Sequence, residues 1–361
     1  MSVHIDGIIF SLQSQGGISV YFQQLLRVLC QAGVPTRLGL EVPLLQVTEA
    51  QNSAFSVTRR AARYLERYRR CRSVPEATIF HSSYYRQPEQ CNLPTVVTVH
   101  DFVYEHCYTG AKRWVHTTQK HAAIRAAQAI ICVSEATRRD LLHFVGVRPD
   151  QSLHVIMNGV SECFRPLTRQ QYVADRPFVL FVGDRSHYKN FNLLLKAMAL
   201  LSDLALYCVG GGPLKPSELA WLPAHVQCRI RHLGFISDER LNCCYNQAVC
   251  LVYPSGYEGF GIPVAEAMRA GCPVVSTPCA AVSEVGGAAL TVAEAAPVAL
   301  AQAISQCLEP DYRRTVREKG LCIAQRYSWT QTHRQTLSLY HQLGVSMPYT
   351  SACVRNHRLC G

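Results

Sequence analysis

The chain has 361 residues, 48% of them apolar and 17% charged, and carries a net charge of +11. That length exceeds what one hydrophobic core usually spans, so two domains are expected; the apolar content excludes a disordered chain, and no apolar run approaches the roughly 20 residues that cross a bilayer. The positive excess implies anionic partners without choosing among nucleotides, nucleic acid and an acidic membrane.

The first strand-like run, Val3–Ile9, starts at once, without the basic start and apolar core of a signal peptide. A cytoplasmic protein is therefore expected. Further strands are expected at Thr36–Val42, Thr78–His81, Thr95–Val99, Ala129–Val133 and Leu153–Met157, with helices such as Ile18–Gln31 and Trp114–Ala127 between them. After a polar, proline-bearing segment, Phe164–Pro177, the series restarts with strands at Phe178–Val182, Leu204–Val209, Val226–Leu233, Val249–Tyr253 and Pro273–Ser276. Short β-rich runs alternating with helices predict two parallel sheets covered on both faces, with 164–177 as the linker. Helices follow at Pro297–Tyr327 and Thr330–Leu343, with Ser328 placed to cap the second, and from Ser346 nothing is periodic. The domains so read are 1–165, 166–328, a helix over 329–345 that packs back on the first domain, and a tail over 346–361.

The 17 cysteines are scattered, and none forms a CxxC pair. Neither a zinc site nor a dithiol motif is suggested, and Cys132, Cys208 and Cys250, inside apolar runs, read as small buried hydrophobes. The stretch Arg59–Arg72 holds seven arginines and one glutamate. Read as a helix, it puts Ala62, Leu65 and Tyr68 on one side, an arrangement for a plain solvated helix or for one lying on an anionic membrane. No nucleic-acid-binding module is present.

The most informative segment is LVYPSGYEGFGIPVAEAMRAGCPVVST, Leu251–Thr277. A strand ends at Pro254-Ser255, a turn carries Gly256, Gly259 and Gly261, and a helix opens with Pro263 in its first turn and stops at Gly271. Strand, glycine turn and helix N-terminus together aim backbone N–H groups and a positive dipole end at the sheet edge, where an anion binds. Glu258 lies in the turn and Glu266, seven residues intervening, is expected in the helix's first turn. Carboxylates there accept hydrogen bonds from ribose or sugar hydroxyls. A second loop, Gly183–Phe191, places Arg185 and Lys189 after the first strand of the second half, where ligands of such sheets bind. Arg forks onto phosphate and Lys adds a point charge. Gly210-Gly211-Gly212 forms a turn beside the same pocket.

The Glu258–Glu266 segment resembles the E-x7-E signature of retaining GT-B glycosyltransferases, in particular glycosyltransferase family 4, and the resemblance runs in order from Gly16 to Trp329. It implies the GT-B fold: two Rossmann-like α/β domains facing a deep cleft, the first on the acceptor side and the second holding the nucleotide sugar. It further implies that Glu258 contacts the donor sugar, that Glu266 binds the nucleotide ribose, and that Gly259-Phe260-Gly261 cradles the diphosphate. Arg185 and Lys189 would neutralise the leaving diphosphate, so that neither a metal nor another cofactor is required. The base would lie against backbone near Gly234-Phe235-Ile236. In the first half, Gln15-Gly16-Gly17 resembles the family's N-terminal glycine loop, with Tyr21 on the acceptor side. His100, at the end of Val97-Thr98-Val99, matches a histidine that contacts the donor sugar; Asp101 would orient His100 or the acceptor. Ser134, in another matching segment, also reads as a plain helix cap. The Gly16-Gly17 and Tyr188–Phe191 stretches are similar to mannosyl- and rhamnosyltransferases of bacterial surface polysaccharide assembly. The expected reaction is metal-independent transfer of a hexose, mannose from GDP-mannose, to a glycan or lipid-linked glycan, with peripheral membrane contact through Arg59–Arg72. A GT-B nucleotide-sugar epimerase and a non-catalytic sugar-binding scaffold are the alternatives; a nicotinamide oxidoreductase is disfavoured because the first loop lacks GxGxxG.

Overall fold

The computed structural model describes residues 2–13, 16–40, 55–59, 62–72, 76–168 and 175–344. The tail, Gln15 and part of the linker lie outside the described residues. Strands β1 (Ser2–Asp6), β2 (Thr36–Leu40), β3 (Phe55–Arg59), β4 (Ala77–Ser82), β5 (Thr95–Val99), β6 (Ala129–Cys132) and β7 (Ser152–Val155) form one sheet in the order β3-β2-β1-β4-β5-β6-β7. Strands β8 (Phe178–Val182), β9 (Ala205–Val209), β10 (Ile230–Gly234), β11 (Leu251–Tyr253), β12 (Val274–Ser276) and β13 (Leu290–Val292) form the other, ordered β10-β9-β8-β11-β12-β13. All pairings are parallel. Strands β5, β6 and β9 are wholly buried, which is why β6 and β9 read as unbroken apolar runs. Cys132, Cys208 and Cys250 lie in these cores.

Strand order reverses between β1 and β4 in the first sheet and between β8 and β11 in the second. Loops leaving the carboxyl ends on either side of such a reversal part and leave a crevice. The connections so placed are the one that leaves Asp6 through the helix Ile8–Leu12 and Ser83–Pro94 in the first half, Gly183–Asn190 and Pro254–Gly261 in the second.

The helix Gly17–Gln31 buries Tyr21, Phe22, Leu25, Leu26 and Leu29 on the first sheet. The last helix, Trp329–Gln342, crosses back to that core with Leu339 and Tyr340. Ser328 caps it, accepting from Gln331 N, and Val160 bridges to Ser328 at the crossing. Tyr340 OH meets His81 Nδ1 at 2.5 Å, and His81 Nε2 meets Thr98 Oγ1 at 2.9 Å.

Local expectations fail where distant residues intervene. The first strand stops at Asp6, not Ile9: the Asp6 carboxylate accepts from Ile8 N at 3.1 Å and from Arg86 at 2.6 and 3.1 Å, turning the chain into the helix Ile8–Leu12. The run at 226–233 begins as the helical turn Ala224–Gln227, and 297–327 divides into Pro297–Gln306 and Pro310–Ala324, each opened by its proline.

The described residues of the Arg59–Arg72 stretch do not form a helix. Arg59 ends β3, and the only helical piece among its described residues is a single turn, Glu66–Tyr68. Glu66 is buried, held by Arg63 at 2.8 Å and by the fully buried Arg86 at 2.7 Å. A buried carboxylate demands such partners, so the segment folds inward around Glu66. Among the described residues no helix is long and apolar enough to cross a membrane.

Candidate active site

The glycine turn after β11 is gripped by the first domain. Gly259 O accepts from Ser134 Oγ at 2.6 Å and from Thr137 Oγ1 at 3.0 Å. Ser134 simultaneously caps the helix Glu135–Phe144, accepting from Thr137 N at 2.9 Å. A Cβ on Gly259 would overlap His100 O, so glycine alone allows the loop to reach the end of β5. Tyr257 OH accepts from Phe102 N at 2.8 Å and donates to Asp140 at 2.6 Å. Glu284 accepts from Glu135 N and Ala136 N at 2.8 and 2.9 Å, a carboxylate on the positive end of the first domain's helix.

Gly261, at φ 95°, opens the helix Ile262–Ala270, with Pro263 in its first turn and Gly271 at φ 77° closing it. The helix starting at Gly17 arrives opposite: a Cβ on Gly17 would stand 3.2 Å from Ile262 Cδ1. Two helix N-termini, one from each domain, thus face each other in the cleft, and the first turn of each leaves backbone N–H groups without helical partners. Phe260 sends its ring into the core, edge-on to Tyr327 at 5.5 Å, so only its backbone lines the turn.

Lys189 Nζ lies 2.5 Å from Glu258 Oε1 and 3.3 Å from Tyr253 OH. Burial opposes the Lys189 charge, yet the neighbouring Glu258 carboxylate outweighs it and holds the ammonium above its usual range. Arg185 is already engaged: Nε donates to Glu218 Oε1 at 2.8 Å and Nη2 to Gly212 O at 2.7 Å and Pro213 O at 2.9 Å. Its Nη1, beside Gly211, is buried without a partner. The triple-glycine turn thus aims one arm of the guanidinium. Asn190, at φ 51°, ends the loop and donates to Pro254 O at 2.9 Å.

His100 sits at the end of β5 with Nε2 buried and unpartnered. Burial pushes its pKa down to about 3, so the ring is neutral. The Tyr21 ring stands edge-on to it at 5.2 Å. Tyr21 is 1% exposed and its hydroxyl accepts from Thr98 Oγ1, so it supports His100 from behind and does not face an acceptor. Asp101 does not orient His100 either: its Oδ1 accepts from Val103 N at 3.0 Å, opening the helix Val103–Cys107.

Glu266 lies in the second turn of its helix, not the first, because Gly261 is the cap. Tyr245 OH donates to it at 3.0 Å, and burial pushes its carboxyl up to about 8. Phe235 is 66% exposed just past β10, while Ile236 packs against the core. Three residues escaped sequence reasoning: Tyr253, Tyr245 and Glu284. Tyr253 and Tyr245 belong to runs that read as ordinary core, and Glu284 to an unremarked helix. Among the described residues no group of three or more His, Cys, Asp or Glu side chains gathers to hold a metal ion.

Two Rossmann-like sheets enclosing such a cleft define the GT-B architecture of glycosyltransferases. Residues 15–162 match the family profile described as Glycosyltransferase Family 4, and residues 176–310 that described as Glycosyl transferases group 1. The chain belongs to glycosyltransferase family 4. It is 31% identical over 243 residues to the O-antigen chain mannosyltransferase B of Escherichia coli, covering 62% of this chain and 63% of that enzyme. It is 29% identical over 243 residues to the MMP alpha-(1->4)-mannosyltransferase of Mycolicibacterium hassiacum, covering 64% and 58%. In fold it superposes on the sucrose-phosphate synthase of Thermosynechococcus elongatus with a TM-score of 0.80 at 21% identity, covering 95% of this chain and 99% of that one. Against WaaG, a glycosyltransferase involved in lipopolysaccharide biosynthesis, the TM-score is 0.71 at 13% identity, covering 94% and 99%.

Proposed function

We propose that the chain is a retaining, metal-independent hexosyltransferase that moves mannose from GDP-mannose to a glycan or lipid-linked glycan acceptor in surface polysaccharide assembly. The observation that carries this reading is the meeting of two helix N-termini, Gly17 and Ile262, beside Lys189 and Glu258. A nucleoside diphosphate lying there meets backbone N–H groups from both domains, the Lys189 ammonium and the unpartnered Nη1 of Arg185. These groups stabilise charge where it develops on the leaving phosphate. Donor binding exchanges the Lys189–Glu258 contact for two others: Lys189 turns to phosphate oxygen and Glu258 accepts sugar hydroxyls. The unpartnered Nε2 of His100 faces the same sugar. The bond between the anomeric carbon and the phosphate oxygen breaks, and the acceptor oxygen bonds to that carbon on the same face. The acceptor's proton passes to the departing phosphate. Glu266 takes the ribose diol, and the Phe235 edge lies toward the base. Mannose is favoured because two of the relatives above are named mannosyltransferases.

The test is a panel of GDP-, UDP-, dTDP- and ADP-sugars, read by thermal shift and by nucleotide release, with and without EDTA. Stabilisation by GDP-mannose, with slow hydrolysis that EDTA leaves unchanged, is the expected result. Stabilisation by a different nucleotide would replace the donor. Interconversion of the sugar with no release of nucleotide would replace the transferase reading with an epimerase.

A further inference from the structure

The Lys189–Glu258 pair is one side of a triangle. Lys189 Nζ stands 2.5 Å from Glu258 Oε1 and 3.3 Å from Tyr253 OH, and that hydroxyl lies within hydrogen-bond reach of the Glu258 carboxylate as well. The third corner differs from the other two in how it is held. Lys189 ends the short turn His187–Lys189, and Glu258 rides the glycine turn after β11. Tyr253 is the last residue of β11 itself, which lies between β8 and β12, with Tyr253 in register against Ser276. It is 3% exposed and belongs to the core that the helix Ile262–Ala270 covers. Its Cε1 would stand 3.8 Å from a Cβ on Gly261, the residue that opens that helix. The phenol is thus carried by a strand end and packed beside the helix N-terminus.

The transfer chemistry above gives this hydroxyl no part, yet it makes a demand that the hydroxyl meets. Donor binding draws Glu258 to the sugar and leaves Lys189 to the phosphate. Lysine is a point charge on a flexible four-carbon stem and does not fix its own position. A displacement of about 1 Å in a group aimed at a reacting bond can cost ~100-fold in rate. Among the described residues, Lys189 Nζ donates to Glu258 and to Tyr253. Once Glu258 has turned away, Tyr253 is the side chain still bonded to the ammonium. Burial first, and Glu258 next, push the phenol's pKa well above its ordinary value, so the hydroxyl keeps its proton. A protonated hydroxyl has lone pairs to accept from Lys189 and a proton to donate to Glu258, so both contacts are compatible. The ammonium also stands 5.3 Å from the Tyr253 ring centroid and 5.4 Å from that of Tyr188, which narrows its path to the cleft.

We propose that Tyr253 is a positioning residue for the transfer: its hydroxyl keeps the Lys189 ammonium on the leaving diphosphate after donor binding has drawn Glu258 away. The inference rests on the transferase reading above. The hydroxyl acts through Lys189, so its effect belongs to the charge that appears as the bond to the anomeric carbon breaks, and not to recognition of the base or the sugar. A phenylalanine at the same place fills the same core volume and removes only the oxygen.

The experiment compares wild type, Tyr253→Phe, Lys189→Ala and the double variant as full chains, each checked for folding by circular dichroism. Calorimetry measures the binding of inorganic pyrophosphate, GDP and guanosine, and nucleotide release measures turnover of GDP-mannose. Tyr253→Phe is expected to weaken pyrophosphate and GDP about tenfold and to lower kcat about tenfold, with KM for GDP-mannose and guanosine affinity within about twofold of wild type. In the Lys189→Ala background the same change costs less than about twofold in each. Wild-type pyrophosphate affinity in Tyr253→Phe overturns the assignment, because the hydroxyl then holds nothing. A full loss repeated in the Lys189→Ala background also overturns it, because the hydroxyl then acts without Lys189, and so does failure of wild type to bind either pyrophosphate or GDP. The donor reading is judged separately. If pyrophosphate binding depends on Tyr253 through Lys189 as described, while wild type neither binds guanosine nor hydrolyses GDP-mannose, the donor reading fails and the positioning role stands.

Discussion

Replacing Glu266 with glutamine separates the cost of a buried carboxylate from its use. In the folded chain the Glu266 carboxyl titrates at about 8, raised from 4.5 chiefly by burial, with the Tyr245 hydroxyl as its partner. Its folded value lies above its unfolded one, so the folded state keeps a proton that the unfolded chain has already released. Stability from this group is complete below the unfolded value, falls as pH rises, and levels off above about 8. One proton corresponds to roughly 1.4 kcal/mol per pH unit, which makes about 2 kcal/mol between pH 6 and pH 7.5. Glutamine keeps the shape and the acceptor for Tyr245 OH but does not titrate. The stability of Glu266→Gln relative to wild type should therefore rise by about 2 kcal/mol across that window. Urea titrations followed by circular dichroism measure it. A stability difference that stays constant from pH 6 to pH 7.5 would show that the carboxyl is not held protonated, and the reasoning would fail. The same variant should bind nucleotide more weakly near pH 8, because a ribose diol donates to a carboxylate and not to an amide N–H.

Lys189→Ala should reduce turnover at least ~100-fold, as loss of a charge aimed at the leaving group does. Since the unliganded Lys189 is tied to Glu258 at 2.5 Å, the variant should also lose stability, and Lys189→Ala, Glu258→Gln should recover the melting temperature without recovering turnover. If Lys189→Ala turns over normally, Lys189 leaves the mechanism. Gly259→Ala places a methyl against His100 O and should cost about 3 kcal/mol together with activity; an unchanged Tm would mean the loop is not wedged there. Asp6→Asn strips the charge from a fully buried partner of Arg86 and should cost ~3–5 kcal/mol, read by thermal melting, with a loss below 1 kcal/mol counting against a buried ionic tie. Tyr340→Phe removes the hydroxyl that meets His81 and should cost ~1–2 kcal/mol with little effect on donor binding, checked by urea titration and GDP affinity.

Much of the fold was legible because its signals are local. Ser134 and Ser328 cap the helices expected of them, Pro263 opens one, and Gly271 closes it in the left-handed conformation glycine tolerates. The buried parallel strands announce themselves as apolar runs. What the sequence concealed is set by partners far along the chain. Seven arginines suggest a basic helix until Arg86, 20 residues beyond Glu66, draws that carboxylate inside. Arg185 looks like a phosphate ligand pure and simple, but Glu218, 33 residues on, takes its Nε–H, and the carbonyls of Gly212 and Pro213 take its Nη2. The neighbours of His100 suggested an acceptor contact in Tyr21 and an orienting acid in Asp101; burial and a helix start claim them instead. Strand β3 lies at a sheet edge, where a short run such as Phe55–Arg59 needs no long apolar signal.

The grip of Ser134 and Thr137 on Gly259 O has a bearing on how such enzymes can be recombined. The turn that carries Glu258 belongs to the second half by chain order but takes its position from the first. A chimaera that imports a foreign second half to change the nucleotide sugar would inherit the turn without its clamp. Swapped halves would need to travel with residues 100–101 and 134–137, so the exchangeable unit straddles the boundary between the two sheets.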